Sequence, residues 1–344
     1  MQCTLLIPHL GWASVSGTPG AEPALAHLEI LMARSRHRAF TRIGWEAWLC
    51  QAFEVERQRD WPVAPLTLAM DNGDPGGDYW LRADPVHIRV HHNRLALADA
   101  SAFTLTPDEA QALVDALSAH FEPEGLRFSA PHANRWYLRL ATDPGVSTTS
   151  LDEAAGGAID HRLPAGPQAI EWHRVLNEAQ MLLHAHAVNQ AREARGELPV
   201  NGVWLWGGGR YTAVRGRHFT AVAADETLAL ALAAHADIPC APLPPDAGRW
   251  LAARADLGAR PLAVLDALIA PARRGDHEAW QSALQALERA WIAPLIAALR
   301  AGDLAEIAVV APTADGCHRF ELRRRDLLRL WRTRRSIAHW LGGQ

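Results

Sequence analysis

The sequence predicts an α/β fold, with a mostly parallel sheet flanked by helices and a smaller α+β domain inserted into it. Three observations predict it. Short apolar runs alternate with amphipathic helical stretches through the second half of the chain, the pattern of strand–helix–strand crossovers. Residues 66–141 instead gather several short strands around one helix. Residues 142–169 are rich in Gly, Ser, Thr and Pro and read as a linker. The core is therefore expected at residues 1–65 and 170–344, and the insertion with its linker at 66–169.

Each element follows from its pattern. Residues 2–7 are a buried strand, and the Pro8-His9 step ends their apolar run. Helices are expected over 24–32 and 43–55, the second with Trp45, Trp48, Leu49, Ala52 and Phe53 at helical spacing. Pro62 and Pro65 punctuate the chain before an apolar run at 66–70, a Gly- and Asp-rich turn at 71–78 and a strand at 80–82. Residues 87–90 and 94–98 form a hairpin pair. Thr106-Pro107-Asp108-Glu109 is a helix start, with Thr106 as N-cap, Pro107 at N1 and Glu109 completing a capping box. Short strands at 126–128 and 135–140 follow. A long helix is expected over 167–194, then a strand at 199–206 running into Gly207, Gly208 and Gly209. Helices over 225–236 and 276–299, a strand at 306–311 and an Arg-rich C-terminal helix complete the chain.

Composition removes several function classes. The 344-residue chain is 49% hydrophobic, enough for a sizeable core, and carries a formal net charge of −4. That balance disfavours a protein built to coat nucleic acid. The four cysteines are scattered and form no CxxC pair, which suits reduced thiols and a cytoplasmic setting. No window has the length of apolar sequence a membrane span needs. All 34 basic residues are arginine. A P-loop and a pyridoxal-phosphate site each need a lysine, so both are excluded.

Three local patterns are candidates for chemistry. Asn201 to Gly209 is a strand ending in three glycines, which suits a close approach of backbone to a ligand or a tight turn behind two core tryptophans; the residues favour the turn. Asn177, Gln180, His184 and Arg192 lie on one helical face, as an oxyanion-binding stripe or as a solvated face. The run Arg319–Arg335 could meet phosphate, but its stripe of Leu327, Leu328 and Trp331 is better read as docking on the core with the charges solvated. His184 with His186, and His91 with His92, have the wrong spacing to share a metal. No GxGxxG, HExxH or GxSxG motif is present.

Read together, Leu176-Asn177-Glu178, His186-Ala187-Val188-Asn189, Arg192, Gly196, Pro199-Val200-Asn201 and Val203-Trp204-Leu205-Trp206-Gly207-Gly208-Gly209 resemble the archaeal-type cofactor-independent phosphoglycerate mutases. Arg82, Leu97-Ala98-Asp99, Thr106-Pro107-Asp108-Glu109-Ala110 and Asn134-Arg135-Trp136-Tyr137-Leu138 resemble the inserted substrate domain of that family. The resemblance implies an alkaline-phosphatase-like core, two divalent metals held by Asp and His, and a serine that carries the phosphoryl group. At the matching positions this chain departs from the pattern. Pro8-His9-Leu10-Gly11 follows the first strand, Pro23 stands where the serine belongs, and Leu268–Asp276 and Val310–Thr313 lack the expected ligands. The pattern through Arg324-Arg325-Asp326-Leu327-Leu328-Arg329-Leu330-Trp331-Arg332 also looks like a proteobacterial family labelled RpfE-type regulatory protein.

The kept frame together with the missing ligands implies a non-catalytic protein with no metal cofactor. It would take a small anionic metabolite or a protein partner, with a regulatory role. Arg82, Arg135, Asn177, Gln180, Arg192, Asn201, Trp204, Trp206, Gly207, Gly208 and Gly209 are the expected ligand-binding residues, between the glycine-rich strand end and the inserted domain. Two other readings stand beside it. One is an active mutase or phosphatase with relocated ligands such as His9, His27, Asp276 and His318; the other is a nucleic-acid-binding regulator acting through the arginine-rich C-terminus.

Overall fold

β-prone apolar residues open the chain, and in the computed structural model they form β1 (Gln2–Leu6). The structure describes residues 1–12, 25–71, 73–91 and 94–342. The chain divides into two units, Met1–Glu54 with Val214–Gln344, and Val55–Ala213. The first unit opens with β1, α1 (Ala26–Arg34), β2 (Arg36–Phe40) and α2 (Trp45–Ala52). The second comprises α3 (Val63–Met70), β3 (Tyr79–His91), β4 (Arg94–Ala98), α4 (Pro107–Phe121), β5 (Arg127–His132), β6 (Arg135–Leu140), α5 (Ala169–Ala185), α6 (Ala187–Ala194) and β7 (Gly202–Arg210). The chain then returns to the first unit through β8 (Val222–Ala223), α7 (Thr227–His235), β9 (Cys240–Ala241), β10 (Leu262–Val264), α8 (His277–Leu287), α9 (Ala293–Ala301), β11 (Glu306–Pro312) and β12 (Cys317–Arg323).

In the first unit the strand order is β2-β12-β11-β1-β10-β8-β9. Pairing is parallel from β11 through β9, and antiparallel where β12 joins β11 and β2. Leu5 and Leu6 of β1, which point to opposite faces, are both fully buried, as in a parallel sheet covered on each side. Leu5, Ile307 and Val309 pack with Leu28 and Leu31 of α1, Leu284 and Leu287 of α8, and Ile296 and Leu299 of α9. α1 has no side-chain N-cap of its own. Glu288, in a π-helical turn joining α8 to α9, supplies one: its carboxylate accepts from the backbone N–H groups of His27 (2.7 Å) and Leu28 (3.0 Å). A buried anion there satisfies orphan donors and meets the positive end of the helix dipole.

The second unit holds an antiparallel sheet of order β4-β3-β6-β5, with β7 also pairing to β3. Strand alternation puts Leu81, Ala83, Trp136, Leu138, Val203 and Leu205 in one apolar cluster with Leu113, Val114 and Leu117 of α4 and Trp172, Val175 and Ala179 of α5. The capping box expected at Thr106 is present. Its hydroxyl accepts from Glu109 N–H at 3.2 Å, and its own N–H donates to the Glu109 carboxylate at 3.1 Å.

Several boundaries differ from the sequence expectation. The second unit runs over 55–213 instead of 66–169, because α3 and β7 pack on or pair with β3, α5 packs on β7 and α4, and α6 packs on α4 and α5. The stretch read as a linker is part of that unit: Ser147 bridges Ala165, Ala158 bridges Ala96, and Thr148 donates its hydroxyl to Asp60 at 2.6 Å. The helix expected over 167–194 breaks at His186, whose backbone is extended and whose Nδ1 accepts from Val188 N–H. β3 is one strand running through Pro85. From Ala83 to Val86 its ladder partner is β7 alone, so the missing proline N–H falls where β6 and β4 do not pair. The arginine-rich tail is not a helix: it is the end of β12, a 3₁₀ turn at Arg324–Leu328 and irregular chain, with a short helix only at Ile337–Leu341. No helix among the described residues is long and apolar enough to cross a membrane.

Candidate functional site

The glycine run does not end its strand. β7 continues through Gly207, Gly208 and Gly209, all buried. Trp80 pairs with Gly209 and Arg82 with Trp206, so two steps on β3 span three on β7. This is a β-bulge, and Gly207 takes the positive φ of +64° that it requires. A Cβ at Gly208 would sit 2.7 Å from Leu81 and 2.8 Å from the Tyr79 hydroxyl, so the strand is also packed too closely for any side chain there. The glycines therefore serve the bulge and its packing.

The bulge sets Trp206 opposite Arg82, and Tyr137 of β6 is the other cross-strand neighbour of Arg82. The Arg82 guanidinium lies 5.3 Å from the centre of each ring. Two residues on, and so on the same face of β3, Asp84 accepts from Arg82 Nη2 at 2.6 Å and Nε at 3.1 Å. The other Asp84 oxygen accepts from the Trp206 indole N–H at 2.7 Å. Arg82 and Asp84 are both buried. Burial works against the Arg82 charge, but Asp84 beside it raises its pKa above the ordinary value.

A second pair adjoins the first. Arg135, two residues before Tyr137 on β6, donates from Nε to Asp71 at 2.9 Å and also bonds Asp71 through Nη2. The Tyr137 hydroxyl donates to Asp71 at 2.6 Å. Burial pushes the Asp71 carboxyl up, yet the Arg135 and Tyr137 hydrogen bonds outweigh it and hold the group below its usual range. Burial, then the Arg135 charge, lowers the pKa of His132 at the end of β5. Thr67 and Asp71, at the C-terminal end of α3, bring that helix against this face. The result is two arginines and two aspartates on one sheet face, interleaved with Tyr137 and Trp206. Arg135 is the half-buried member and can offer guanidinium donors to an anion.

Of the residues expected from sequence, Arg82, Arg135 and Trp206 come together here. The others have separate places. Arg192 is 1% exposed; it donates to Leu198 O at 3.0 Å and pairs with Glu109 at 2.9 Å, so it locks the end of α6 to the start of α4. Asn201 accepts from Ile88 N–H and donates to Ile88 O, joining β7 to β3. Trp204 donates its indole N–H to Thr149 O at 2.9 Å. Asn177 and Gln180 are exposed on α5. Sequence reasoning missed Asp71, Asp84 and Tyr137. The Arg82–Asp84 spacing, two apart on a strand, was the available signal for one of them.

In the first unit the positions suggested as relocated metal ligands have separate roles. His27 Nδ1 contacts Glu288 at 3.0 Å. Asp276 caps α8 by accepting from Ala279 N–H at 3.0 Å. His318 Nδ1 lies 3.0 Å from His37 Nε2, with the rings stacked. The His9 carbonyl accepts from the Trp280 indole, and its backbone has a positive φ of 58°. Among the described residues no three His, Cys, Asp or Glu side chains are grouped to hold a metal ion. Pro23, the position matched to the serine, and His92 lie outside the described residues.

No protein-family profile matches the chain. A 2,3-bisphosphoglycerate-independent phosphoglycerate mutase of Methanosarcina mazei is 30% identical over 115 residues, which is 33% of this chain and 29% of that protein. The match thus spans under a third of the relative's length. Among solved structures, a cofactor-independent phosphoglycerate mutase from Thermoplasma acidophilum covers 100% of this chain and 96% of its own, at 16% identity and a TM-score of 0.44. The PH0037 protein from Pyrococcus horikoshii covers 94% of this chain and 87% of its own, at 13% identity and a TM-score of 0.55. The second likeness shows a shared fold, and the largely parallel sheet with flanking helices agrees with the α/β fold class expected from the sequence. The chain is phosphoglycerate-mutase-like at low identity and over part of its length.

Proposed function

We propose that this protein is a phosphoglycerate-mutase-like pseudoenzyme: a ligand-binding protein of regulatory role, without metal-dependent phosphoryl transfer. The observation that carries this reading is an asymmetry between the two units. The second keeps an ordered arginine cluster, Arg82 and Arg135 with their aspartates, on a sheet face braced by the β7 bulge. In the first unit the described strand ends carry Ile7-Pro8-His9 and Pro312-Thr313, and no three metal donors are grouped among the described residues. Two-metal phosphoryl transfer needs charged ligands that neutralise the phosphate and ionise the nucleophile. The donor set described here does not fit that requirement, so no catalytic step is assigned to it. A small anionic metabolite is the ligand class that suits Arg135.

The test is elemental analysis for Mn, Zn, Fe and Mg on protein purified without added metal, paired with an assay for phosphoglycerate interconversion. The expected result is folded protein with well under one metal per chain and no turnover when metals are supplied. Two metals per chain with turnover would overturn the reading.

A further inference from the structure

We infer that the first unit carries a nucleotide site of its own, in a cleft between β2, the end of β12 and the arginine-rich tail. The cleft has a volume of about 860 Å³ and is lined by six arginines against two carboxylates, Glu321 and Asp326. In a chain whose formal net charge is −4, this is a marked local concentration of positive charge.

The arginines fall into two groups. Some hold the tail in place. Arg329 pairs with Asp326 at 2.8 Å and donates to Arg34 O at 3.0 Å; Arg332 donates to Ser35 O at 2.9 Å. Both therefore cap the carbonyl end of α1, where the helix dipole favours cations. Arg323 is paired with Glu306 at 2.6 Å. The remaining group faces the cleft with no direct ion pair; Glu321, opposite Arg36 across β12 and β2, is bonded to Arg319 at 2.8 Å. The Arg36 and Arg325 side chains are exposed and make no hydrogen bond or ion pair among the described residues, where the Arg335 guanidinium contacts His339 at 3.1 Å. Unpaired guanidiniums converging on one cavity are suited to phosphate, through forked charge-assisted bonds.

The cleft wall also contains flat rings. Trp331 lines it and is 76% exposed, and His37, His339 and Trp340 line it as well. An indole left in water beside unpaired arginines offers a stacking surface for a base. Phosphate donors and a stacking surface in a cavity of this size match a nucleoside diphosphate better than a simple anion. The inference does not depend on the proposed function, whose arginine cluster lies on the second unit.

Isothermal titration calorimetry on the full chain tests it, with ADP, inorganic pyrophosphate and a short oligothymidylate as probes. ADP is expected to bind, and pyrophosphate to bind about tenfold more weakly for want of stacking. Arg36→Ala with Arg325→Ala should weaken ADP about a hundredfold, since each loses a charge-assisted contact worth roughly tenfold. Neither side chain makes a hydrogen bond or ion pair among the described residues, and the backbone pairing of Arg36 with Glu321 survives the change to Ala, so the double variant should fold. Trp331→Ala should bring ADP to the pyrophosphate level, and Arg300→Ala, exposed on α9, should change nothing. No ADP binding, or equal affinities for ADP and pyrophosphate, would overturn the proposal. So would ADP binding lost in Arg135→Ala but kept in the cleft variants. Oligothymidylate binding more tightly than ADP, and falling steeply with salt, would replace the nucleotide with a single strand.

Discussion

Asp84→Ala is the sharpest test of how the arginine cluster holds together. The substitution leaves the Arg82 guanidinium, 7% exposed, without its counter-ion. Breaking a buried pair from one side costs about 3–5 kcal/mol, because the remaining charge is stranded away from water. The Trp206 indole N–H loses its acceptor as well, a cost of about 1–3 kcal/mol that overlaps with the first as the site relaxes. A total of about 4 kcal/mol is a large share of the ~5–15 kcal/mol that stabilises a domain. Because the chain has two units, a single global midpoint is the wrong readout. Hydrogen exchange of the β3, β6 and β7 amides under rising urea reports the second unit directly. Adding Arg82→Met should restore part of the loss, since the stranded charge is then gone. A loss below about 1 kcal/mol, or no recovery in the double variant, would refute the argument that Arg82 and Asp84 are a buried, mutually dependent pair.

Three further outcomes follow from other parts of the structure. Gly207→Ala places a side chain at φ +64° with its Cβ 3.0 Å from Val63, so a loss of about 1–2 kcal/mol is expected in hydrogen exchange of the second unit's amides; an unchanged protection would mean that the bulge is absent. Thr106→Ala removes one half of the capping box and should cost about 0.5–2 kcal/mol, read in the same way, with Thr106→Ser nearly neutral. The third outcome concerns pH. Burial lowers the His37 pKa, as does the neighbouring His318, and burial lowers that of His318. The folded state therefore resists protonation that the unfolded chain accepts near pH 6.5. Stability from this pair is present above about pH 6.5 and is lost as pH falls from there through the folded pKa values. Stability of the first unit, read from hydrogen exchange of the β11 and β12 amides under rising urea, should differ between pH 7.5 and 5.5, and the difference should shrink in the His37→Asn, His318→Asn variant; a difference that survives in that variant would assign it to other groups.

Much of the fold was legible because local chemistry and tertiary structure agreed. The Thr106 box, the strands at β1, β6 and β11, and the hairpin of β3 with β4 all stand where pattern puts them. What pattern could not give is partnership. Three consecutive glycines announce freedom from a Cβ, yet whether that freedom serves a ligand, a turn or a bulge depends on the register of β7 against β3, a fact about two distant segments. His186 breaks a helix whose apolar spacing continues through it, because the break lies in backbone angles and not in hydrophobicity. The same limit explains the candidate site. Arg82 and Arg135 were visible as arginines in strands, but whether an arginine is free is set by a carboxylate elsewhere: Asp84 two residues away, and Asp71 in a stretch that reads as a turn. Asn189, Arg192 and Asn201, among the residues through which the chain resembles its relatives, are each tied to local backbone carbonyls. A motif shared with an enzyme can therefore record how a unit is fastened as readily as what it binds. In this chain both kinds occur: Arg82 and Arg135 in the second unit, and Arg323, Arg329 and Arg332 in the first, are fastened to protein groups, while the Arg36 and Arg325 side chains make no hydrogen bond or ion pair among the described residues.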